Sequence, residues 1–305
     1  MNETNSSMDF IKGETAKAAF YGYTCIGGRS EDQDCLAYDE VYGRQIFAVC
    51  DGMGGQAGGC IASRTAAKTL TDSLRRQKEI VSTKDAIITA VNDANAAVYK
   101  KSQEEPSLRG MGTTLTLLII DKQAAYITHI GDSRIYQLRK GQKLYRTFDH
   151  SRVFEQVAKG HSWRNKFRRI VLGEKDAYLT EEEARVHPRS NILSRALGIQ
   201  SDVDFVITKL SYKKNDRFIL CCDGVWNSQP EPDIINMFTA NPDLETTILS
   251  TRSLVEKIGK ENGGQHDNHT MIAVDMKEDS KYKYSFLRKL RKLFRRSMYF
   301  KTLHK

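Results

Sequence analysis

Long apolar runs are missing from this chain of 305 residues. The longest, Leu115-Thr-Leu-Leu-Ile-Ile120, falls far short of the roughly 20 residues a membrane-spanning helix needs. Paired cysteines are missing too: the six cysteines, at 25, 35, 50, 60, 221 and 222, form no Cys-x-x-Cys. Cys50, Cys221 and Cys222 sit in apolar runs and read as small core residues. With no secretory segment ahead of them, reduced thiols in a cytoplasmic setting are expected. A Gly-x-Ser-x-Gly elbow is absent, as is a cysteine leading into a glycine-rich loop, which removes two covalent routes of hydrolysis. There is no low-complexity linker and no internal repeat beyond one short echo described below.

Charge is unevenly distributed along the chain. Residues 281–305 hold ten lysines and arginines and no Asp or Glu. The remaining 37 basic residues face 38 acidic ones, so the net +9 of the whole chain becomes −1 once that stretch is set aside. A nearly neutral body argues against a nucleic-acid-binding face there. Within the basic stretch, Phe286, Leu287, Leu290, Leu293, Phe294 and Met298 fall on one helical face, with basic residues filling the rest. Such a helix can lie on an anionic membrane surface at the inner face, or bind a partner protein or its own domain. Liposome co-sedimentation with and without residues 281–305 separates these readings.

Helical periodicity is present at Ala62, Thr65, Ala66, Leu70 and Leu74, and again from Ala86 to Val98. Short apolar or alternating runs at 115–120, 124–130, 217–222 and 270–275 read as strands. Segregated strands and helices point to the α+β class.

The echo is Phe47-Ala-Val-Cys-Asp51-Gly52 against Phe218-Ile-Leu-Cys-Cys-Asp223-Gly224. Each is an apolar strand that stops at Asp-Gly. Asp-Gly alone is a common hairpin turn. Here it has company: Gly131-Asp132-Ser133 after one strand, His266-Asp267-Asn268 before another, and Arg29-Ser-Glu-Asp-Gln-Asp34 near the start. Carboxylates gathered at one point repel unless a cation sits among them, and hard oxygen ligands suit Mg²⁺ or Mn²⁺.

With these stretches in view, the chain resembles the metal-dependent serine/threonine protein phosphatases of type 2C, in their bacterial branch. Further islands in the same order carry the resemblance: Gly110-Met-Gly-Thr-Thr-Leu115, Asp149-His-Ser151, Leu179-Thr-Glu-Glu-Glu-Ala184, His187-Pro-Arg189 and Ser194-Arg-Ala-Leu-Gly198. The resemblance implies a four-layer αββα sandwich, two antiparallel sheets flanked by helix pairs, with a metal cleft at one end. It implies Asp51 as the acid bridging two metal ions, the Gly52 carbonyl as a further ligand, and Asp223 and Asp267 as the other carboxylates. Asp132 is similar to the acid that joins Asp223 around a third ion, and Arg29 to the arginine that grips the substrate phosphate. A metal-activated water would then be the nucleophile, acting on phosphoserine or phosphothreonine in proteins, with cognate Ser/Thr kinases as natural counterparts.

Two positions depart from the animal members of the family. Gln33 stands where many carry a metal-binding glutamate, so Gln33, Asp34 and Asn268 are expected as weak or supporting ligands, Asp34 through hydrogen bonds. Met53 stands in place of a histidine, as in bacterial members. His266 and His269 flank Asp267 at a spacing zinc could use, but no soft third ligand lies near them in sequence. His150 reads as part of a hydrogen-bonded turn. The expected organisation is an extension over 1–22, a catalytic domain over 23–280 with a basic insertion at about 158–178, and the basic tail over 281–305. Two other readings stay open: a phosphoprotein-binding regulator with a weak site, and a regulator targeted to the membrane surface by its tail.

Overall fold

The computed structural model describes residues 8–77, 81–155, 157 and 180–282. The basic insertion at 158–178 and the amphipathic pattern over 286–298 lie outside the described residues.

Two antiparallel sheets form the centre. The first runs, in spatial order, β1 (Met8–Glu14), β2 (Ala18–Cys25), β12 (His269–Met276), β11 (Arg217–Cys221), β8 (Arg134–Arg139) and β9 (Gln142–Arg146). The second runs β10 (Thr208–Leu210), β7 (Ala125–Ile130), β6 (Leu115–Ile120), β4 (Arg44–Met53) and β3 (Asp34–Val41), with the two-residue β5 (Gly112–Thr113) pairing the end of β4. Residues 8–22, expected to precede the catalytic domain, thus supply β1 and most of β2 to the first sheet. The described chain ends docked, with the Tyr282 N–H donating to the Gln123 carbonyl at 2.8 Å.

Strands β4, over Ile46–Cys50, and β6, but for Thr116, are continuously apolar because both of their faces are covered. Phe47, Val49, Leu118 and Ile120 join the core between the sheets, with Phe218, Leu220, Ile272 and Val274 from the first sheet. The alternate residues Ile46, Ala48, Cys50, Leu117 and Ile119 face a second core under α1 (Gly55–Arg76) and α2 (Thr83–Glu104). Each such side chain, fully buried, contributes about 1.5–3 kcal/mol relative to exposure. In α2, Ala86, Ile87, Ala90, Val91, Ala94 and Val98 recur at helical spacing and are all buried, and the Ser82 hydroxyl caps its first turn.

The outer face of the first sheet is covered by α5 (Glu231–Thr239) and α6 (Leu244–Glu261), which follow two short helices, α3 (Glu181–Arg185) and α4 (Asp223–Trp226). The result is the four-layer αββα arrangement. The strands expected at 115–120, 124–130, 217–222 and 270–275 and the helices around 62–74 and 86–98 are where the sequence places them. The helix pair α5–α6 has no counterpart in the residue-level reading. In α5 the buried residues are Ile234 and Phe238, and in α6 Thr247, Thr251 and Gly259 are buried beside Ile248 and Val255. Among the described residues, no helix is long and apolar enough to cross a membrane.

Candidate active site

The strand ends at one edge of the sandwich bring the acids together. Asp51 closes the apolar part of β4, and Asp34, the first residue of β3, is its direct cross-strand partner. Asp223 follows β11 and opens α4. Asp132 lies in the turn between β7 and β8, and Asp267 just ahead of β12. Asp223 and Asp267 line an open cavity of about 250 Å³.

Neither Asp-Gly pair is a hairpin turn. A side chain on Gly52 would place its Cβ 2.0 Å from the Gly59 carbonyl oxygen, because the first turn of α1 passes directly over the strand end. A Cβ on Gly224 would come 2.0 Å from the Asn268 carbonyl oxygen. In both copies the glycine admits a second backbone segment beside the acid, which is why the same dipeptide recurs.

The acid-bearing turns are held by neutral hydroxyl and amide groups. The Asp51 N–H donates to Thr114 Oγ1 at 2.9 Å, and the Thr113 hydroxyl and Thr114 N–H return to the Asp51 carbonyl at 2.9 and 2.8 Å. Thr114 also shares a 2.7 Å hydrogen bond with Ser133, tying the Asp51 strand to the Asp132 turn. Asn268 acts as a clamp: its Nδ2 donates to the carbonyls of Ile26 and Glu31, and its Oδ1 accepts from the Gln33 N–H at 3.0 Å. With both ends of its amide engaged, Asn268 supports the loop and is not placed as a metal ligand. The Gln33 side-chain amide donates to the Gly55 carbonyl at 3.0 Å.

The electrostatics are unfavourable throughout. Burial, then the charges of Asp34, Asp223, Asp132 and Asp267, push the Asp51 carboxyl well above the ordinary range. Burial and the neighbouring Asp223 and Asp149 do the same to Asp132. Asp223 is raised to about 6, mainly by burial and then by Asp267, with Asp51 and Arg29 pulling against the rise. Asp34 is raised to about 8 by burial, against a lowering from Thr270 and Cys222 and with a further push from Asp32. Both Asp34 oxygens are buried without a hydrogen bond of ordinary geometry. Asp34 therefore sits within the acid cluster, directly across from Asp51, a place open to the weak ligand or supporting role expected of it. One atom each from Asp34, Asp51 and Cys222 lie within 4.8 Å of one another.

Buried oxygens without partners, crowded by like charges, are what a hard divalent cation compensates, so the donor set fits Mg²⁺ or Mn²⁺. At the mouth, Arg29 Nη2 stands 3.0 Å from Asp267 Oδ2, with both side chains about half exposed. Its remaining donors suit a phosphate oxygen. Met53 lines an adjoining cavity of about 500 Å³ with Ser194, Arg195, Ile199 and Asp204. His150 sits in the expected turn, its Nδ1 accepting from the Gly131 N–H at 3.3 Å and its ring stacked on His129 at 4.4 Å. Burial, then His129 and Arg195, lower His150 to about 3.

Residue-level reading missed one feature of the site. Arg134 is buried against Asp149, with bonds of 2.9 and 2.7 Å, and lies 3.4 Å over the Trp226 ring. This trio braces the turn that carries Asp132, and Asp149 and Trp226 lie 15 and 92 positions from Arg134, beyond the reach of local spacing.

Residues 21–258 match the protein phosphatase 2C family. The serine/threonine phosphatase Stp of Listeria welshimeri is 31% identical over 238 residues, covering 75% of this chain and 84% of its own. The protein phosphatase PhpP of Streptococcus pneumoniae is 31% identical over 264 residues, covering 82% and 94%. Among solved structures, the serine/threonine phosphatase PstP of Mycobacterium tuberculosis superposes with a TM-score of 0.70 at 26% identity, over 86% of this chain and all of its own.

Proposed function

Because this chain belongs to the protein phosphatase 2C family, in its bacterial branch, we propose that the acid cluster at the ends of β4 and β11 is the centre of a serine/threonine protein phosphatase. The observation that carries the assignment is the convergence of the buried Asp34 and Asp132 with the partly buried Asp51 and Asp223, all four carboxyls pushed upward, beside Asp267 and the half-exposed Arg29.

Asp51, Asp223 and Asp267 would hold two divalent ions, with the Gly52 carbonyl as a further donor. Asp132 with Asp223 would hold a third, and Asp34 and Gln33 lie beside the first pair. Such ions supply Lewis-acid activation of water and of the phosphoryl group. The chain's own residues do the remainder. Arg29 binds and orients the phosphate with a planar fork, while Asp267 restrains that fork in the absence of substrate. The hydroxyls of Thr113, Thr114 and Ser133 keep Asp51 and Asp132 in fixed register. Phosphorylated proteins are the substrates, and a cognate Ser/Thr kinase is the proposed counterpart.

Hydrolysis of para-nitrophenyl phosphate and of a phosphothreonine peptide, with Mn²⁺, Mg²⁺ or EDTA, tests this in wild type and Asp223→Asn. Turnover that needs metal and is lost in the variant is the expected result. Tight phosphopeptide binding without turnover in any metal would turn the assignment into that of a phosphoprotein reader.

A further inference from the structure

The histidines on either side of Asp267 are left over by the phosphatase reading, and the fold supplies the soft partner that their sequence neighbourhood lacks. Cys25 and His269 are directly opposed across β2 and β12, so their side chains share one face of the sheet. Helix α6 lays Glu256 over that face. Glu256 Oε1 stands 3.1 Å from His269 Nε2, 3.3 Å from Cys25 Sγ and 3.5 Å from His266 Nε2.

Three further observations mark the place as built. Both ring nitrogens of His266 are buried without a hydrogen bond, although only 14% of its side chain is exposed. Gly259, three residues beyond Glu256, clears the space for that ring, since a Cβ there would fall 2.2 Å from it. The Tyr23 hydroxyl lies 2.9 Å from His269 Nδ1, which turns Nε2 toward the cluster.

We propose that Cys25, Glu256, His266 and His269 form a second metal site, for zinc or a similar borderline divalent cation, distinct from the all-oxygen centre. Zinc bonds of about 2.0–2.3 Å at tetrahedral angles put neighbouring ligand atoms roughly 3.3–3.5 Å apart, close to the separations of His269, Cys25 and His266 from Glu256; one atom each from Cys25, Glu256 and His269 lie within 4.8 Å of one another, and His266 would complete the set by turning its ring in from the loop. A mixed sulfur, nitrogen and oxygen set disfavours Mg²⁺, so the two sites select different ions. Burial holds the Cys25 thiol above its ordinary value, with a partial lowering by Arg252 nearby. Cation binding would release the thiol proton to solvent, leaving thiolate and carboxylate to balance the double charge. Burial would raise Glu256, but hydrogen bonds from His269 and Cys25, with the His266 ring close by, outweigh it and hold the carboxyl at about 2, so it is ready to ligate. The site fastens the residues around Asp267 to β2 and α6, making the soft ion a positioning element behind a proposed ligand of the hard centre.

The test uses the full chain, stripped of metal and titrated with Co²⁺ in excess Mg²⁺. A thiolate-to-cobalt charge-transfer band saturating at one equivalent is expected. It should vanish in Cys25→Ser and in His266→Ala and persist in Cys222→Ser, the sulfur beside the hard centre. Tyr23→Phe should weaken zinc, measured against a chromophoric chelator, by about ten- to a hundredfold. Circular dichroism checks the fold of each variant, and His266→Ala, on a partly exposed loop, decides the matter if Cys25→Ser does not fold. No band in wild type would reduce the cluster to a closed hydrogen-bonded group around Glu256. A band that survives Cys25→Ser or His266→Ala, or that depends on Cys222, would equally overturn the proposal.

Discussion

The two ends of the first sheet bury aspartates in opposite ways. At the far end, Asp275 is gripped by Arg217 through two 2.7 Å bonds, and Asp216 by Arg139, with Gln137 and the Lys213 N–H filling its remaining lone pairs. Arg217 also donates to the carbonyls of Phe238, Asn241 and Pro242, stitching the α5–α6 corner to the sheet. At the cleft end, Asp223 and its neighbours Asp51 and Asp34 are in no salt bridge with an arginine among the described residues, and their carboxyls are all pushed upward. The same fold satisfies acids thoroughly where they serve stability and leaves them in conflict where they serve chemistry. An unsatisfied buried acid is the stronger functional signal because holding it there costs stability.

Breaking each end should therefore have opposite consequences. Asp51→Asn should lower phosphopeptide turnover by about a thousandfold or more, since metal contributes several kcal/mol and each 1.4 kcal/mol is tenfold. The same variant, free of metal, should melt higher than wild type in calorimetry, because a source of repulsion is gone. A lower melting point would mean the acids are not in conflict.

Arg217→Met should act the other way, costing about 3 kcal/mol in urea denaturation with kcat little changed. The figure sits at the low end for a broken buried pair because Asp275 is a quarter exposed. A large loss of kcat without loss of stability would show that the far end is not merely structural.

A third test sharpens the contrast through pH. Asp34, at about 8, lies far above the unfolded carboxylate value of about 4. Between those limits the folded, metal-free chain keeps a proton that the unfolded chain has released. Stability should thus fall as pH rises through that window, by at most about 1.4 kcal/mol per pH unit for this group. Excess Mg²⁺ or Asp34→Asn should flatten the slope of urea midpoints against pH. A midpoint that climbs with pH in metal-free wild type would contradict the burial of an unpaired Asp34.

Much of this was legible in the sequence where one short segment carries both strand and ligand. Asp51 and Asp223 end apolar runs, and the run itself says that the acid is launched from the core. Asp132 and Asp267 follow from the same logic at neighbouring strand ends. The illegible parts depend on which strands become neighbours. Nothing local says that Asp34 faces Asp51 across a strand pair. Cys25 and His269 are 244 positions apart and meet only through the register of β2 with β12. The α5–α6 pair is short of fully buried apolar residues, with Ile234 and Phe238 in α5 and Ile248 and Val255 beside threonines and a glycine in α6.

That register also fixes when the molecule can become an enzyme. Strands β3 to β7 and the helices between them form a continuous block over residues 34–130, able to assemble as soon as it emerges from the ribosome. The first sheet cannot: β2 must wait for β12, the last strand of the fold, to be synthesised and inserted beside it. Pairing across so long a stretch of chain is slow, because the loop entropy is spent before the contacts form. Until β12 is in place, Asp267 and Asn268 are not docked and the cleft has only one wall. A nascent or prematurely ended chain can therefore pair Asp34 with Asp51, but the wall that carries Asp223 and Asp267 is complete only once synthesis has passed residue 276.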